Sequence, residues 1–314
     1  MRRTIQRAIA RVIPRAFRRS GVPTLFVGVV ASLAAGLSLG LALWSGATAW
    51  AGPSPAATSA DFERQQGFVT VVVNHVNDAL GTELLPVADG GGVELGVLVT
   101  VTMDQVQIFD HPAAALQQGR VADGTIADEC LSGCPAVLFD AFQRAWLEAA
   151  VESTTFAVEI PSRVVLAVHR ELPAQTLLQV AYAAAETRPV QPPQLALLVN
   201  NRRGTLRSQG FFLLPPGGLD VRQGSAALGL TIEVSPQGYS VGAADRRYAR
   251  DDRVGSAAEL AALIKRIDKR YPGKDAVILV PKDGVTVAQL MEVVAVVQEE
   301  FPRIVLSGGQ RVRI

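Results

Sequence analysis

One order of strands and helices occurs twice in this chain, with the second copy about 113 residues after the first. The strand 275–280 (DAVILV) leads through a short turn into a segment whose apolar side chains recur at helical spacing, and the strand 163–168 (RVVLAV) does the same. The apolar helix positions are Ala174, Leu177, Leu178, Ala181 and Ala184 in the first copy, and Val287, Leu290, Met291, Val294 and Val297 in the second. Each copy is therefore predicted to bury the same helix face in the same register.

Each copy has the pattern β-β-α-β-α-β, which predicts the fold class. Alternating runs such as ALGLTIEV and YSVG indicate strands, and longer runs with a period of 3.6 indicate helices. Ser256 and Glu259 have the spacing of a capping box and predict the start of one helix. We expect an α+β protein with two similar small domains, 93–214 and 227–314, joined by a linker at 215–226.

The amino-terminal part has the composition of a membrane anchor. Residues 1–20 carry seven arginines and no acid, and residues 20–60 carry no charge. The segment 21–46 exceeds the roughly 20 apolar residues that cross a bilayer as a transmembrane helix. The basic segment is expected to stay in the cytoplasm, which places the carboxyl-terminal bulk across the membrane. A linker follows at 47–92, in which 61–80 has near-helical spacing, although its valine run would also suit a strand.

Two features of the amino-terminal part have alternative interpretations. The triplet 49–51 (Ala-Trp-Ala) fits a signal-peptidase site, although the apolar region is longer than the roughly 7–15 residues usual for a signal peptide. Small side chains recur every four residues, which either lines a helix face for close packing in lipid or reflects chance in an Ala- and Gly-rich chain. These residues are Gly28, Ser32, Gly36 and Gly40.

The cysteines and the charged residues limit the bonds, ligands and partners that the sequence predicts. Cys130 and Cys134, carried by a long insertion at 110–133 and the residue after it, predict a local disulfide if the chain works in an oxidising compartment. Two cysteines and three scattered histidines are too few for a metal site, so none is predicted. The seven amino-terminal arginines leave a net charge of −6 on the rest of the chain, which argues against nucleic acid as a partner.

No sequence motif for catalysis is present. The chain lacks a P-loop, a zinc-protease motif and a nucleophile elbow, so we predict no catalytic residue and no cofactor. Asp283 follows the strand 275–280, a position where sites often occur, but an aspartate before Gly284 is also a common turn former. We therefore expect a protein that is not an enzyme.

The order of these parts resembles the ExbD/TolR family of biopolymer transport proteins. The closest likeness is VILVPKDGVTVAQLMEVVAVVQEEFPRIVLSGG (277–309), with LGLTIEVSPQGYSVG (228–242) similar to the opening hairpin of the family. The resemblance implies a single-pass protein of the bacterial inner membrane with a periplasmic bulk, in a complex driven by the proton-motive force. It also implies a multi-span, channel-forming partner of the ExbB/TolQ type, and contact with an energy-transducing periplasmic protein or the cell wall.

Two departures from the family keep other functions open. The family has an aspartate near the start of its membrane helix, and Phe26 stands there in this chain, where no proton can be bound. The family has one such domain per chain, whereas two copies could pair as an internal pseudo-dimer instead of a homodimer. The alternatives are a non-conducting structural or regulatory paralogue, or an exported periplasmic binding module after signal cleavage near Ala51.

Overall fold

The structure is a computed structural model that describes residues 59–156, 162–188, 193–201, 203–216, 229–243 and 252–308. The helices are α1 (Ser59–Ala79), α2 (Ala136–Phe156), α3 (Ala174–Glu186), α4 (Ala257–Arg270) and α5 (Val287–Val297). The strands are β1 (Val97–Val101), β2 (Gln105–Ile108), β3 (His111–Gln117), β4 (Arg120–Val121), β5 (Arg163–Val168), β6 (Gln194–Asn200), β7 (Leu206–Leu213), β8 (Leu230–Ser235), β9 (Gly238–Ala243), β10 (Asp252–Val254), β11 (Ala276–Pro281) and β12 (Arg303–Leu306).

All twelve strands form one mixed sheet in the order β10-β9-β8-β11-β12-β7-β6-β5-β1-β2-β3-β4. On one side of β7 the order β6-β5-β1-β2-β3 repeats the order β12-β11-β8-β9-β10 on the other side. In both halves a parallel trio, β1-β5-β6 or β8-β11-β12, is extended by antiparallel strands at the outer edge. Apart from the additional edge strand β4, the strand order is therefore symmetric about β7.

The strand β7 fuses the two halves. It pairs with β6 in antiparallel register, with Phe211 opposite Leu195, and with β12 in parallel register, with Phe212 opposite Val305. The predicted fold class of two small α+β domains is therefore wrong: the described chain is an α/β protein with one continuous sheet. The error has a physical cause, because consecutive polar residues and a glycine fill the middle of β7, so the strand lacks a long apolar run.

The predicted membrane anchor finds no support in the structure. Within the described ranges between residues 59 and 308, no helix is long and apolar enough to cross a membrane. The segment 21–46, with Phe26 and the small side chains predicted to line its face, lies outside the described residues. The predictions of a fold with a transmembrane helix, of a single-pass inner-membrane location and of a role in membrane transport are corrected on this finding.

The two faces of the sheet are covered differently. Helices α2 to α5 pack on one face and share a single hydrophobic core with both halves of the sheet. On the other face, α1 inserts Val72 and Val76 against the first half, next to Leu98 of β1. Strand β1 is therefore buried on both faces, whereas β8 alternates between buried side chains such as Ile232 and exposed ones such as Glu233.

The halves also meet through backbone hydrogen bonds between their equivalent turns. The Ala174 N–H donates to the Val285 carbonyl at 2.9 Å, and the Val287 N–H donates to the Leu172 carbonyl at 2.8 Å. Ala174 and Val287 are equivalent positions of the repeat, as are Leu172 and Val285. The two bonds are therefore reciprocal, as in a symmetric dimer interface. They satisfy amides at the first turns of α3 and α5, which would otherwise lack intrahelical partners.

Side-chain caps fix the starts of α4 and α5. The Ser256 hydroxyl accepts a hydrogen bond from the Glu259 N–H, but the Glu259 carboxylate bonds the Gly255 N–H instead of completing the predicted box. The complete capping box is at α5, where Thr286 and Gln289 each accept from the other's backbone N–H. Each helix start is therefore stabilised by a local side-chain cap, to which the hydrogen bonds between the halves are added at α5.

One sheet predicts one cooperative unfolding transition. We expect β5 and β11 to lose amide protection at the same urea concentration, measured by hydrogen exchange and mass spectrometry. Phe211→Ala removes a buried side chain of β7 and should cost about 3 kcal/mol of unfolding free energy in both strands. The neighbouring Phe212, which is half exposed, provides the control, since Phe212→Ala should cost clearly less. Loss of protection in one strand alone would mean two independent domains.

Candidate functional site

A disulfide closes a short loop between β4 and α2. Cys130 and Cys134 are bonded to each other, and both are buried beside the core that α2 forms with the sheet. Within the loop, the Ala127 N–H donates to the Cys134 carbonyl at 3.0 Å. The Gly133 N–H donates to the Cys130 carbonyl at 3.1 Å, in a turn where Gly133 has a φ of 72° that favours glycine. Covalent and hydrogen bonds together hold the loop in one conformation.

The last residue of α3 attaches the tip of this loop to the helical layer. The Glu186 carboxylate accepts the Leu131 N–H at 2.6 Å and the Ser132 N–H at 3.1 Å. Hydrogen bonds to a charged acceptor are stronger than neutral ones. The tip is thus fixed by a side chain that lies more than 50 residues further along the sequence.

Leu131 points into solvent from this fixed tip. Its side chain is 81% exposed, more than any other large apolar residue in the described part of the chain. On a flexible loop, a leucine side chain could fold back onto the protein surface. Here the disulfide and the Glu186 carboxylate hold the backbone of the loop in place. The fixed backbone keeps this apolar side chain on the surface, where it is accessible to another molecule.

Two residues after Glu186, the side chain of Arg188 lies over the ring of Trp146 in α2. The Arg188 guanidinium is 5.3 Å from the centre of the Trp146 ring, within range of a cation–π interaction. Trp146 is 6% exposed, and its indole N–H has no hydrogen-bond partner among the described residues. The buried Ser132 hydroxyl has none there either. We give one name, the loop surface, to the clamped tip and the residues that follow from its anchor, because Arg188 comes two residues after Glu186 in the chain: Leu131, Ser132, Trp146, Glu186 and Arg188.

The turn at Asp283 lies at the junction of the two halves, away from the loop surface in the fold. Asp283 is exposed and precedes Gly284, which has a φ of 84°. The turn closes with the Val285 N–H donating to the Lys282 carbonyl at 3.2 Å. The Lys282 ammonium is paired with the Glu233 carboxylate at 2.8 Å across the exposed face of the second half. This geometry is that of a turn former.

Titratable groups with shifted pKa values are scattered over the described chain. A hydrogen bond from Thr125 lowers the pKa of Asp123, burial lowers that of His169, and burial raises that of Tyr239. The three groups lie in a loop, after β5 and in β9, so they do not form one acid–base site. No group of three or more His, Cys, Asp or Glu residues in the described ranges is arranged to hold a metal ion.

Comparisons of the chain with family models, with curated proteins and with solved structures gave no match. The resemblance to ExbD/TolR proteins thus gains no support from a relative.

Removal of the Glu186 carboxylate should loosen the loop tip. We expect Glu186→Ala to speed amide exchange at Leu131 and Ser132 about tenfold, because two charge-assisted hydrogen bonds are lost. Glu148→Ala, at an exposed position of α2, is the matched control and should leave both rates unchanged. Unchanged exchange in Glu186→Ala would show that the disulfide alone fixes the tip.

Proposed function

We propose that this chain is a non-enzymatic recognition protein that acts by protein–protein contact through the loop surface, in an oxidising compartment. The observation that carries the proposal is Leu131, which is 81% exposed on a loop closed by a disulfide and clamped by Glu186. Of the functions considered from the sequence, this one corresponds to the exported binding module.

The energetics favour binding at this position. Burial of a leucine side chain is worth about 1.5–3 kcal/mol, and here that gain is realised only when another molecule covers Leu131. Binding normally costs free energy to order flexible loops, which reduces affinity. This loop is already ordered by its disulfide and hydrogen bonds, so most of that cost is met during folding.

The disulfide favours a compartment outside the reducing cytosol. Thiols of cytosolic proteins are kept reduced, whereas structural disulfides persist in exported proteins. The pair Cys130 and Cys134 closes the loop that positions Leu131, so oxidation is coupled directly to the shape of the proposed contact site.

The redox state can be measured on protein taken from its native cells. After denaturation, a thiol-reactive label should attach to neither cysteine before reduction and to both Cys130 and Cys134 after it, as read from intact mass. Two labels before reduction would place the working protein in a reducing compartment and remove the main support for export.

Photo-crosslinking in the source cell tests the contact itself. With a photoreactive amino acid in place of Leu131, we expect one discrete covalent adduct with a second protein. Val87, also an exposed apolar residue but on the opposite side of the sheet from α2, is the matched control and should give no such adduct. Equal adducts at both positions, or none at Leu131, would contradict a specific contact at the loop.

A further inference from the structure

We propose that the exposed face of α4 binds a short acidic segment of another protein. We call this surface the basic face, and its residues are Lys265, Arg266, Lys269 and Arg270. It is separate from the loop surface, because α2 packs on α3, α3 on α5 and α5 on α4, which places α4 at the far end of the helical layer from α2. The inference goes beyond the proposed function and does not depend on it.

The four cations of the basic face have no counter-charge in the described chain. All four side chains are exposed, and none forms an ion pair with a carboxylate of the described residues. The acids of the same helix do not neutralise them. Asp268 is half-buried and unpaired with them, and the Glu259 carboxylate accepts the Gly255 N–H at the other end of α4. The basic face is therefore a concentrated positive surface that attracts anions.

Helix stability does not account for this row of cations. Lys265 and Lys269 are four residues apart, as are Arg266 and Arg270, so like charges lie side by side and repel each other. The helix dipole favours Lys269 and Arg270, which are in the last turn of α4. That benefit does not extend to Lys265 and Arg266, one turn earlier. Half of the basic face thus costs helix stability instead of adding to it.

The internal repeat provides a comparison for the basic face. Helix α2 is the first helix of its half, as α4 is the first helix of the other half. Its exposed charged side chains, where exposure is described, are Asp140, Arg144 and Glu148, which are of both signs. The fold therefore does not require a row of cations at this position, and the basic face belongs to the second half alone.

The size of the basic face and its surroundings select an acidic polypeptide among possible anions. Proteins that hold nucleic acid make about 6–10 phosphate contacts, and four cations are too few for that. The chain beyond its amino-terminal arginines also has a net charge of −6, which repels a long polyanion.

A lipid surface is disfavoured by the lack of apolar contact. Stable attachment to a membrane surface uses buried apolar side chains as well as cations. The large apolar side chains that are exposed in the described chain all lie outside 252–308, so none accompanies the basic face. A short segment with a few carboxylates matches a small, purely charged surface.

Binding of a synthetic peptide to the full chain tests this proposal. The probe is a short peptide in which glutamate and serine alternate, and its counterpart has glutamine in place of glutamate. At about 0.15 M salt, we expect the acidic peptide to bind and its glutamine counterpart not to bind. Lys265→Gln combined with Lys269→Gln should weaken binding about tenfold, because two exposed charge pairs are lost.

A matched control has the same change in net charge. Arg120→Gln combined with Arg144→Gln removes two exposed arginines of the first half and should leave the peptide affinity unchanged. No binding of the acidic peptide, or an equal loss in both double variants, would overturn a specific site on α4.

Urea unfolding of the α4 variant separates binding from stability. Replacement of Lys265 and Lys269 relieves a like-charge repulsion, so the unfolding midpoint should stay the same or rise. A lower midpoint together with unchanged peptide affinity would assign these cations to the stability of the helix and contradict a binding role.

Two further probes distinguish the class of partner. They are a single-stranded oligothymidylate and vesicles of phosphatidylglycerol. If either one, and not the peptide, bound with a dependence on Lys265 and Lys269, the assignment to an acidic polypeptide would be wrong.

One variant distinguishes this site from the loop surface. Leu131→Ser should leave the peptide affinity unchanged, whatever the outcome for the proposed function. A loss of peptide binding in that variant would place the peptide at the loop, and the separate site on α4 would have to be abandoned.

Discussion

The hydrogen bonds of β7 to strands on both sides determine the whole architecture. Without β7, each half would end in an open strand edge at β6 or β12, with unpaired backbone groups. β7 satisfies both edges at once, antiparallel to one half and parallel to the other. Helices α2 to α5 are then brought onto one face, where they form a single core with the sheet, and reciprocal hydrogen bonds join the halves at the first turns of α3 and α5.

The loop surface depends on this arrangement through α3. The helix packs in the shared core, so its carboxyl end is fixed. Glu186 is its last residue, and Arg188 follows two residues later. The Glu186 carboxylate accepts two backbone amides of the loop tip, and the Arg188 guanidinium lies over the Trp146 ring of α2. The rigidity of the apolar tip therefore depends on the carboxyl end of a buried helix.

Residue patterns predicted those parts of the fold in which side-chain class is uniform. The strands at 163–168 and 275–280 were identifiable because their apolar runs are buried in the sheet; the first range matches β5, and the second is shifted by one residue from β11. Strand β7 gave a weak signal because only some of its side chains are buried, and β4 is signalled only by the turn at Gly119. The cysteine spacing indicated a local pair, but the stacking of Arg188 on Trp146 joins residues far apart in sequence, which no local pattern encodes.

The position of β7 in the chain has a consequence for the integrity of the polypeptide. β7 precedes β8 in the sequence but pairs with β12, the last described strand. The two strands that join the halves therefore come from opposite sides of the connection 217–228. A peptide bond broken in that connection would leave intact every ladder between the described strands. Two complementing fragments, each with its own repeat, should accordingly reassemble into the native sheet without a covalent link.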